Sequence, residues 1–281
     1  MSMKLSIITI NYNNAEGLQR TMDSVLNQSY DDFEYIVIDG GSSDASKDII
    51  LSHRDRLSHW VSEPDKGIYN AMNKGILAAT GEYCLFLNSG DYLYSDSVIE
   101  NILSMSYNED IVSFVTINTD GKVSHRKKAP ENLSLYSLID ASLPHPSTLI
   151  KKSILEQIGG YDESYKIVSD WIFFIEALVF CNASYRTIDY NLSIFDRASF
   201  SISSHQADLR DSETKRYLNS RLARVLPDYF LPEHMFNALW FLQHSRCSIF
   251  YFILNIGLRM INRLLRLRNR LSKKISILKI D

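Results

Sequence analysis

Cysteine is scarce in this chain. Three residues, Cys84, Cys181 and Cys247, lie far apart in 281. With no CxxC, no short-range Cys/His cluster and an odd count, the pattern excludes a secreted disulfide scaffold and a structural zinc site, and fits a reducing cytosol. No run of about 20 apolar residues is present, so no spanning helix is expected. No basic stretch precedes the short apolar run Met3–Asn11, so no signal peptide is expected. Charge of one sign is not in excess: 30 Lys and Arg stand against 33 Asp and Glu. A net charge of −3 gives the chain as a whole no affinity for nucleic acid. Internal repeats and low-complexity segments are missing too. No GxGxxG follows the first apolar run and no GxxxxGK[ST] occurs anywhere, which disfavours a dinucleotide dehydrogenase and a P-loop NTPase.

What remains is an ordinary globular composition, 45% hydrophobic, 22% charged and 11% aromatic. The length accommodates one large domain, or one domain with an appendage, and a sizeable core.

The charge is unevenly spread. From Arg259 to Asp281 eight basic residues face one acid, a net of +7, which leaves −10 for the remainder. Just before this tail, Ser248–Leu258 (SIFYFILNIGL) is about half the length that crosses a bilayer. Ile261, Leu264, Leu265 and Leu271 interleave with the arginines at roughly helical spacing. This pattern has two readings: a helix lying on an anionic membrane surface through residues 248–281, or a terminal helix packed on the body with a solvated basic face. No aromatic stacking platform or groove-reading motif accompanies it, so no nucleic-acid partner is expected. Residues 201–258 read as largely helical, as a cover for an acceptor groove or as a dimerisation surface, so a homo-oligomer stands among the expected assemblies.

The first third alternates between strand and helix. Leu5–Ile10 (LSIITI) has the form of a buried parallel strand, and Asn11–Asn14 breaks it. Leu18, Met22, Val25 and Leu26 then recur at helical spacing. Phe33–Ile38 is a second strand ending in Asp39, followed by Gly40 and Gly41. Ser42, Ser43 and Asp44 offer N-cap oxygens for the next helix. Leu57–Val61 is a weaker strand. Ile68, Ala71, Met72, Gly75, Ile76 and Ala79 mark a helix with a small-residue face, which Gly81 is placed to end. Tyr83–Leu87 is a fourth strand. Farther on, the Asp-Gly of Asn118–Val123 predicts a hairpin turn.

Such strand–helix–strand units imply right-handed crossovers and a parallel sheet, whose ligands sit outside the carboxyl ends of the strands. Polar residues gather at those ends: Thr9, Asn11 and Tyr12 after the first, Asp39 after the second, Glu63, Asp65 and Lys66 after the third, and Asn88, Ser89 and Asp91 after the fourth. A nucleotide could bind there without a glycine fingerprint, with Asp39 accepting from a base N–H or ribose hydroxyl and Tyr12 covering the base.

Four segments carry a family resemblance: SIITINYNN, SVLNQSYDDFEYIVIDGGSSDAS, SEPDKGIYNAMNKGILAATGEYCLFLNSGD and HPSTLIKKSILEQIGGYDESYKIVSDW. Together they resemble the family 2 glycosyltransferases, and within them the bacterial branch that builds O-antigen, capsule and colanic-acid repeat units. The resemblance runs from about Lys4 to Ser203. It implies the GT-A fold: an α/β domain with a Rossmann-like mixed sheet flanked by helices over residues 1–203, followed by a mostly helical C-terminal region over 204–281. It also implies inverting transfer of a sugar from a nucleotide-diphosphate donor, a UDP-sugar by default, to a polyprenyl-diphosphate-linked glycan. The expected location is the cytoplasmic side, peripheral at the inner face of the cytoplasmic membrane.

The resemblance assigns roles. Thr9, Asn11 and Tyr12 border the nucleotide, Asp39 holds its base or ribose, and Asp65 and Asn88 face the donor. Lys66 either meets the phosphates or is a solvated loop lysine. Relatives carry a DxD cluster for a divalent metal where this chain has Asn88-Ser89-Gly90-Asp91. One carboxylate remains, so Mn²⁺ or Mg²⁺ is expected at Asp91, completed by waters and substrate phosphates. Arg197 and His205 read either as helpers in that role or as bland surface residues. Asp170, at the start of the apolar helix Trp171–Val179, matches the general base, where the chemistry of the residues alone reads an N-cap. His145, between Pro144 and Pro146, matches a histidine near the donor sugar or acceptor and is the second catalytic candidate; the other reading is a rigid turn. Trp171 is expected as an apolar wall of the acceptor pocket. Two rivals stand beside this reading: a catalytically weak nucleotide-sugar-binding subunit, motivated by the incomplete DxD, and a nucleotidyltransferase, against which NYNN supplies no phosphate loop.

Overall fold

The computed structural model describes residues 5–196 and 204–223, without the side chains of Ser204 and His205. The chain divides into two compact units after Ser220, and the first is considered below. The tail of residues 248–281, Arg197 and the His205 side chain lie outside the described residues. Among those described, no helix is long and apolar enough to cross a membrane.

The first third folds as alternating strand and helix: β1 (Leu5–Asn11), α1 (Ala15–Leu26), β2 (Glu34–Asp39), α2 (Ser46–His53), β3 (His59–Ser62), α3 (Ile68–Ala78) and β4 (Tyr83–Phe86). β1 pairs parallel with β2 and with β4, and β2 pairs parallel with β3. All of β1 is buried, which explains why its sequence does not alternate. Its side chains divide between two cores. Leu5 and Ile7 join Leu18, Met22 and Val25 of α1 on one face, while Ile8 and Ile10 join Met72 and Ile76 of α3 on the other. Each such fully buried aliphatic side chain contributes about 1.5–3 kcal/mol. α3 lies against β1 because Gly75 has no side chain; a Cβ there would collide with Ile8 Cγ2.

The second part adds β5 (Tyr92–Leu93), α4 (Val98–Ser104), β6 (Ile111–Thr119), β7 (Ser124–Lys127), α5 (Leu135–Asp140), β8 (Thr148–Lys151), α6 (Lys152–Ile158), α7 (Ser169–Ile175), β9 (Tyr185–Asp196) and α8 (Ser204–Arg221). A π-helical turn, Glu176–Phe180, continues α7. The strands make one sheet of nine, ordered β3-β2-β1-β4-β8-β6-β9-β5, with β7 paired to β6. β8 runs antiparallel to β4 and β6, whereas β9 runs parallel to β6 and antiparallel to β5. The expected mixed α/β sheet flanked by helices is therefore what forms. The expected hairpin also forms: Thr119 pairs with Ser124, Gly121 takes φ +82°, and Asp120 Oδ1 accepts from the N–H groups of Lys122 and Val123.

Two helix ends differ from expectation. The cap position of α2 falls on Ala45, which has no side-chain oxygen, but Asp44 just before it accepts from the first helical N–H, that of Ser46, at 3.0 Å as well as from Ala15 N–H at 2.9 Å, tying the loop to α1. α3 stops before Gly81, whose N–H donates to Ser6 Oγ at 2.9 Å; a side chain there would strike β1.

Candidate active site

The parallel strands end on one rim, and the rim opens into a cavity of about 720 Å³. Asn11 and Tyr12 line it after β1, Gly40 and Gly41 after β2, and Pro64, Asp65 and Gly67 after β3. Ile68 and Ala71 come from α3, Asn88 to Asp91 from the turn after β4, and Phe195 and Asp196 from the end of β9.

Asp39 is fully buried at the base of this rim. Its Oδ1 accepts from Asn11 Nδ2 at 2.8 Å and Ser42 Oγ at 2.5 Å. Its Oδ2 accepts from Ser42 N–H at 3.0 Å and Ser62 Oγ at 2.8 Å. Burial pushes this carboxyl up, but the hydrogen bonds from Ser42, Asn11 and Ser62 outweigh it and leave it below the ordinary value. Asp39 is thus an ionised knot joining the ends of three strands. It orients the Asn11 amide, whose Oδ1 is buried with no hydrogen-bond partner. An acceptor of that kind at a cavity wall suits a ligand N–H or O–H.

Tyr12 is 66% exposed over the cavity, free to cover a planar ring. Asp65 holds its loop by accepting from Gly67 N–H at 2.8 Å. It also packs where a Cβ on Gly40 would lie, with Oδ2 2.5 Å from that position, so the absent side chain gives the Asp65 carboxylate its place. Lys66 stands exposed outside the cavity lining. Thr9 requires a correction. It is fully buried on the α1 side of the sheet, with its hydroxyl 3.1 Å from the Tyr35 phenol, and does not line the cavity. Thr9 and Asn11 share one face of β1, but Thr9 lies inside the strand against Tyr35, whereas Asn11, at the strand end, meets the cavity.

The turn after β4 is fastened to α1 through Thr21. Its hydroxyl accepts from Gly90 N–H at 3.0 Å and donates to Asp91 O at 2.6 Å. Asp91 is 7% exposed. Asp196, which the sequence reading missed, lines the cavity beside it. Tyr92 pairs with Ile194 and Leu93 with Ser193, and continuing this antiparallel register carries Asp91 against Phe195, next to Asp196. Arg20 of α1 reaches over the Tyr92 ring to bind Asp196 at 2.8 Å. Burial, then the like charge of Asp196, hold the Asp91 carboxyl well above its ordinary value, with Arg20 opposing them.

Among the described residues, no three His, Cys, Asp or Glu side chains gather into a metal cluster. The oxygens present nevertheless fit a hard divalent cation. Asp91 is a buried carboxylate in excess negative potential, Asp196 supplies a second, and Asn88 Oδ1 is buried without a partner. All-oxygen donor sets completed by water and phosphate are the usual environment of Mg²⁺ and Mn²⁺.

Asp170 lies in the first turn of α7, half-buried, beside the cavity rather than in its wall. It is joined to α3 by Tyr69, whose hydroxyl lies 2.9 Å from Asp170 Oδ1 and 2.6 Å from Ile167 O. Tyr69 follows cavity-lining Ile68, so this contact fixes the carboxylate to the helix that borders the cavity. Burial, then the charge and hydrogen bond of Asp170, push the Tyr69 phenol far up, so it remains a donor.

His145 is not exposed in the site. It is 8% exposed, stacks on Phe86 at 5.1 Å between centroids, and has Nε2 2.8 Å from the Tyr161 hydroxyl. Burial lowers the imidazole below its ordinary value, with the Asp170 charge opposing. The Pro144–Pro146 turn packs inward, because His145 completes an aromatic cluster with Tyr161 and Phe174. The GGYD turn serves this packing: Asn73 fills the space of a Gly160 side chain and bonds both backbone groups of Tyr161. Trp171 is also packed rather than displayed, donating Nε1–H to Leu138 O at 2.5 Å. In β7 and just beyond it, Arg126 pairs with Asp189 and Lys128 with Glu131.

Comparison with known proteins agrees with this geometry. The family described as Glycosyl transferase family 2 matches residues 6–177. An uncharacterized glycosyltransferase of Mycobacterium tuberculosis is 35% identical over 182 residues, 63% of this chain and 70% of the relative. A PGL/p-HBAD biosynthesis glycosyltransferase of Mycobacterium bovis is 27% identical over 180 residues, 60% of this chain and 67% of the relative. Among solved structures, S. aureus TarS in complex with UDP-GlcNAc superposes with a TM-score of 0.60 at 20% identity, covering 77% of this chain and 67% of that one. The mannosyltransferase PcManGT of Pyrobaculum calidifontis, in complex with GDP-Man and Mn²⁺, superposes with a TM-score of 0.52 at 14% identity, covering 92% and 81%. These superpositions show that the fold is the GT-A architecture.

Proposed function

Because this chain belongs to glycosyl transferase family 2, we propose that it moves a sugar, with inversion, from a nucleotide-diphosphate donor to a lipid-linked glycan of bacterial surface polysaccharide assembly. The observation that carries the reading is the pairing of the rim cavity with Asp170, held beside it by Tyr69. The nucleotide occupies the cavity, with Tyr12 over the base and the Asn11 amide, oriented by Asp39, accepting from it. A UDP-sugar is the default donor.

Asp170 accepts the proton of the acceptor hydroxyl while that oxygen forms its bond to the anomeric carbon. The bond from that carbon to the phosphate oxygen breaks, and its electron pair leaves with the nucleoside diphosphate. Asp91, with Asp196 and Asn88 Oδ1 beside it, would hold the divalent cation, whose chemistry is to neutralise charge on the departing diphosphate. Lys66, exposed between the cavity-lining Asp65 and Gly67, would add positive charge near the phosphates. His145 acts by packing: it holds Tyr161 and Phe86 beneath the acceptor side.

The acceptor is a polyprenyl-diphosphate-linked saccharide, and the protein works at the inner face of the cytoplasmic membrane, docked through its basic tail. Removing residues 259–281 tests the docking: lost sedimentation with anionic vesicles supports it, and unchanged sedimentation refutes it. The transfer reading is tested by nucleoside diphosphate release from a panel of nucleotide sugars, with and without acceptor. Release that depends on acceptor supports it. Nucleotide binding without transfer from any donor would instead support a binding subunit, and pyrophosphate release a nucleotidyltransferase.

A further inference from the structure

The segment that carries Asp170 has no cap of its own. α7 begins after Val168, which makes no side-chain cap, and Ser169 Oγ is buried without a partner. The backbone N–H groups of Ser169 and Asp170 meet the Tyr69 hydroxyl instead, which leaves the direction of the residues leading to them to be set. Something else must fix the approach to α7.

That something is a carboxylate from α8, 43 residues beyond Asp170 in sequence. Glu213 is 5% exposed, an unusual depth for a glutamate. Its Oε1 accepts from Lys166 N–H at 2.7 Å and its Oε2 from Ile167 N–H at 3.0 Å. The same Ile167 residue has its carbonyl 2.6 Å from the Tyr69 hydroxyl, which also reaches Asp170 Oδ1. Ile167 is thus held by α8 at its N–H and by α3 at its carbonyl, with the single Tyr69 proton shared between that carbonyl and Asp170 Oδ1. Asp170 hangs three residues further on.

Other contacts of α8 bracket the same segment. Arg216 stacks 3.9 Å over the Tyr165 ring and donates to Ser164 O at 3.1 Å. Tyr217 meets the edge of Trp171 at 5.6 Å between centroids and donates to Glu176 Oε1 at 2.8 Å. Contacts therefore fall before and after Asp170, and the buried ion among them touches only the backbone leading to it.

We infer that Glu213 is a positioning residue for the transfer reaction: through Ile167 and Tyr69 it sets the Asp170 carboxylate against the acceptor hydroxyl, which makes α8 part of the catalytic apparatus. This rests on Asp170 being the base. Misplacement of a reacting group by about 1 Å costs on the order of 100-fold in rate. A carboxylate gripping two adjacent N–H groups is a suitable means of preventing it.

The test measures acceptor-dependent transfer by the whole 281-residue chain with Glu213→Ala, Glu213→Gln, Tyr69→Phe, the Glu213→Ala/Tyr69→Phe double variant and Asp170→Asn. Donor KM and the Kd of UDP and GDP are followed alongside. Glu213→Ala should lower kcat by about 10–100-fold with donor KM and nucleotide Kd unchanged. Glu213→Gln, which keeps one acceptor oxygen, should fall between it and the unaltered protein, and carries the same test if the alanine variant does not fold. The double variant should lose no more than the worse single one, because both act on one carboxylate. If Asp170→Asn is inactive while both Glu213 variants keep kcat within twofold, the inference fails and the base assignment stands. Multiplicative losses in the double variant, or parallel loss of kcat and nucleotide affinity, also overturn it. Full activity in Asp170→Asn removes the base assignment and this inference with it.

Discussion

The Tyr69 hydroxyl lies 2.9 Å from Asp170 Oδ1, so the half-buried carboxylate at the start of α7 is tied to the helix that borders the rim cavity. A hydrogen bond to a charged group is worth about 1.5–3 kcal/mol. Tyr69→Phe should therefore lower kcat by roughly 10–100-fold, with little change in donor KM. Steady-state kinetics on the purified variant check this; a raised KM at constant kcat would place Tyr69 in donor binding instead.

Asp39 collects four hydrogen bonds, from Asn11, Ser62 and twice from Ser42. Asp39→Ala would leave these donors without their buried acceptor and free the Asn11 amide to turn. A stability loss of about 2–4 kcal/mol is expected, together with loss of measurable nucleotide binding. Denaturant melts and calorimetry with UDP and GDP read both.

Asp91 makes a pH prediction. Its folded-state carboxyl is raised, by burial first and by Asp196 second. A raised acid contributes stability at pH below its unfolded value, and that contribution is lost as pH rises through the folded value. At pH 7–8 without divalent cation, Asp91→Asn should therefore be the more stable protein, by about 2–4 °C in Tm for each kcal/mol recovered. The gap should close as pH falls towards 4. Adding Mn²⁺ with nucleoside diphosphate should raise the Tm of the unaltered protein more than that of the variant. A variant that is less stable at every pH would contradict this.

The parallel half of the fold was legible because its strands are short apolar runs closed by polar turns, with helical periodicity between them. Asn11, Tyr12, Asp65, Asn88 and Asp91 were legible as one rim for the same reason: the topology sends those strand ends to one side. Thr9 was misplaced because it shares the face of Asn11 but lies two residues inside the strand, and the sequence does not mark where burial ends and the rim begins. Asp196 lies 105 residues from Asp91, and only the β5–β9 register brings them together. The sole trace in the sequence is an acid ending the run Tyr185–Asp196. Glu213 looks like a surface glutamate in a polar helix, and its burial depends on packing that no local pattern records. His145 between prolines read as a loop residue; the aromatic partners that draw it inward, Phe86, Tyr161 and Phe174, come from three separate segments.

The burial of His145 sets a second pH dependence. Its folded-state imidazole is depressed by burial. Its contribution to stability is present above the unfolded value of about 6.5 and is lost as pH falls towards the depressed one. His145→Gln, which does not titrate, should show a shallower fall in stability between pH 6.5 and 5, with nucleotide affinity unchanged. Chemical denaturation across that range measures the slope; an unaltered slope would mean that His145 is not the group responsible.

The central claim is that the cavity and Asp170 together transfer a sugar. The most direct measurement is nucleoside diphosphate release from a panel of nucleotide sugars in the presence of a lipid-linked acceptor extract, comparing the unaltered protein with Asp170→Asn. Release that requires acceptor, from one donor, and that falls by about 100-fold or more in Asp170→Asn with nucleotide Kd preserved is the predicted result. Equal release by Asp170→Asn, or no release from any donor by a protein that binds nucleotide, would contradict it.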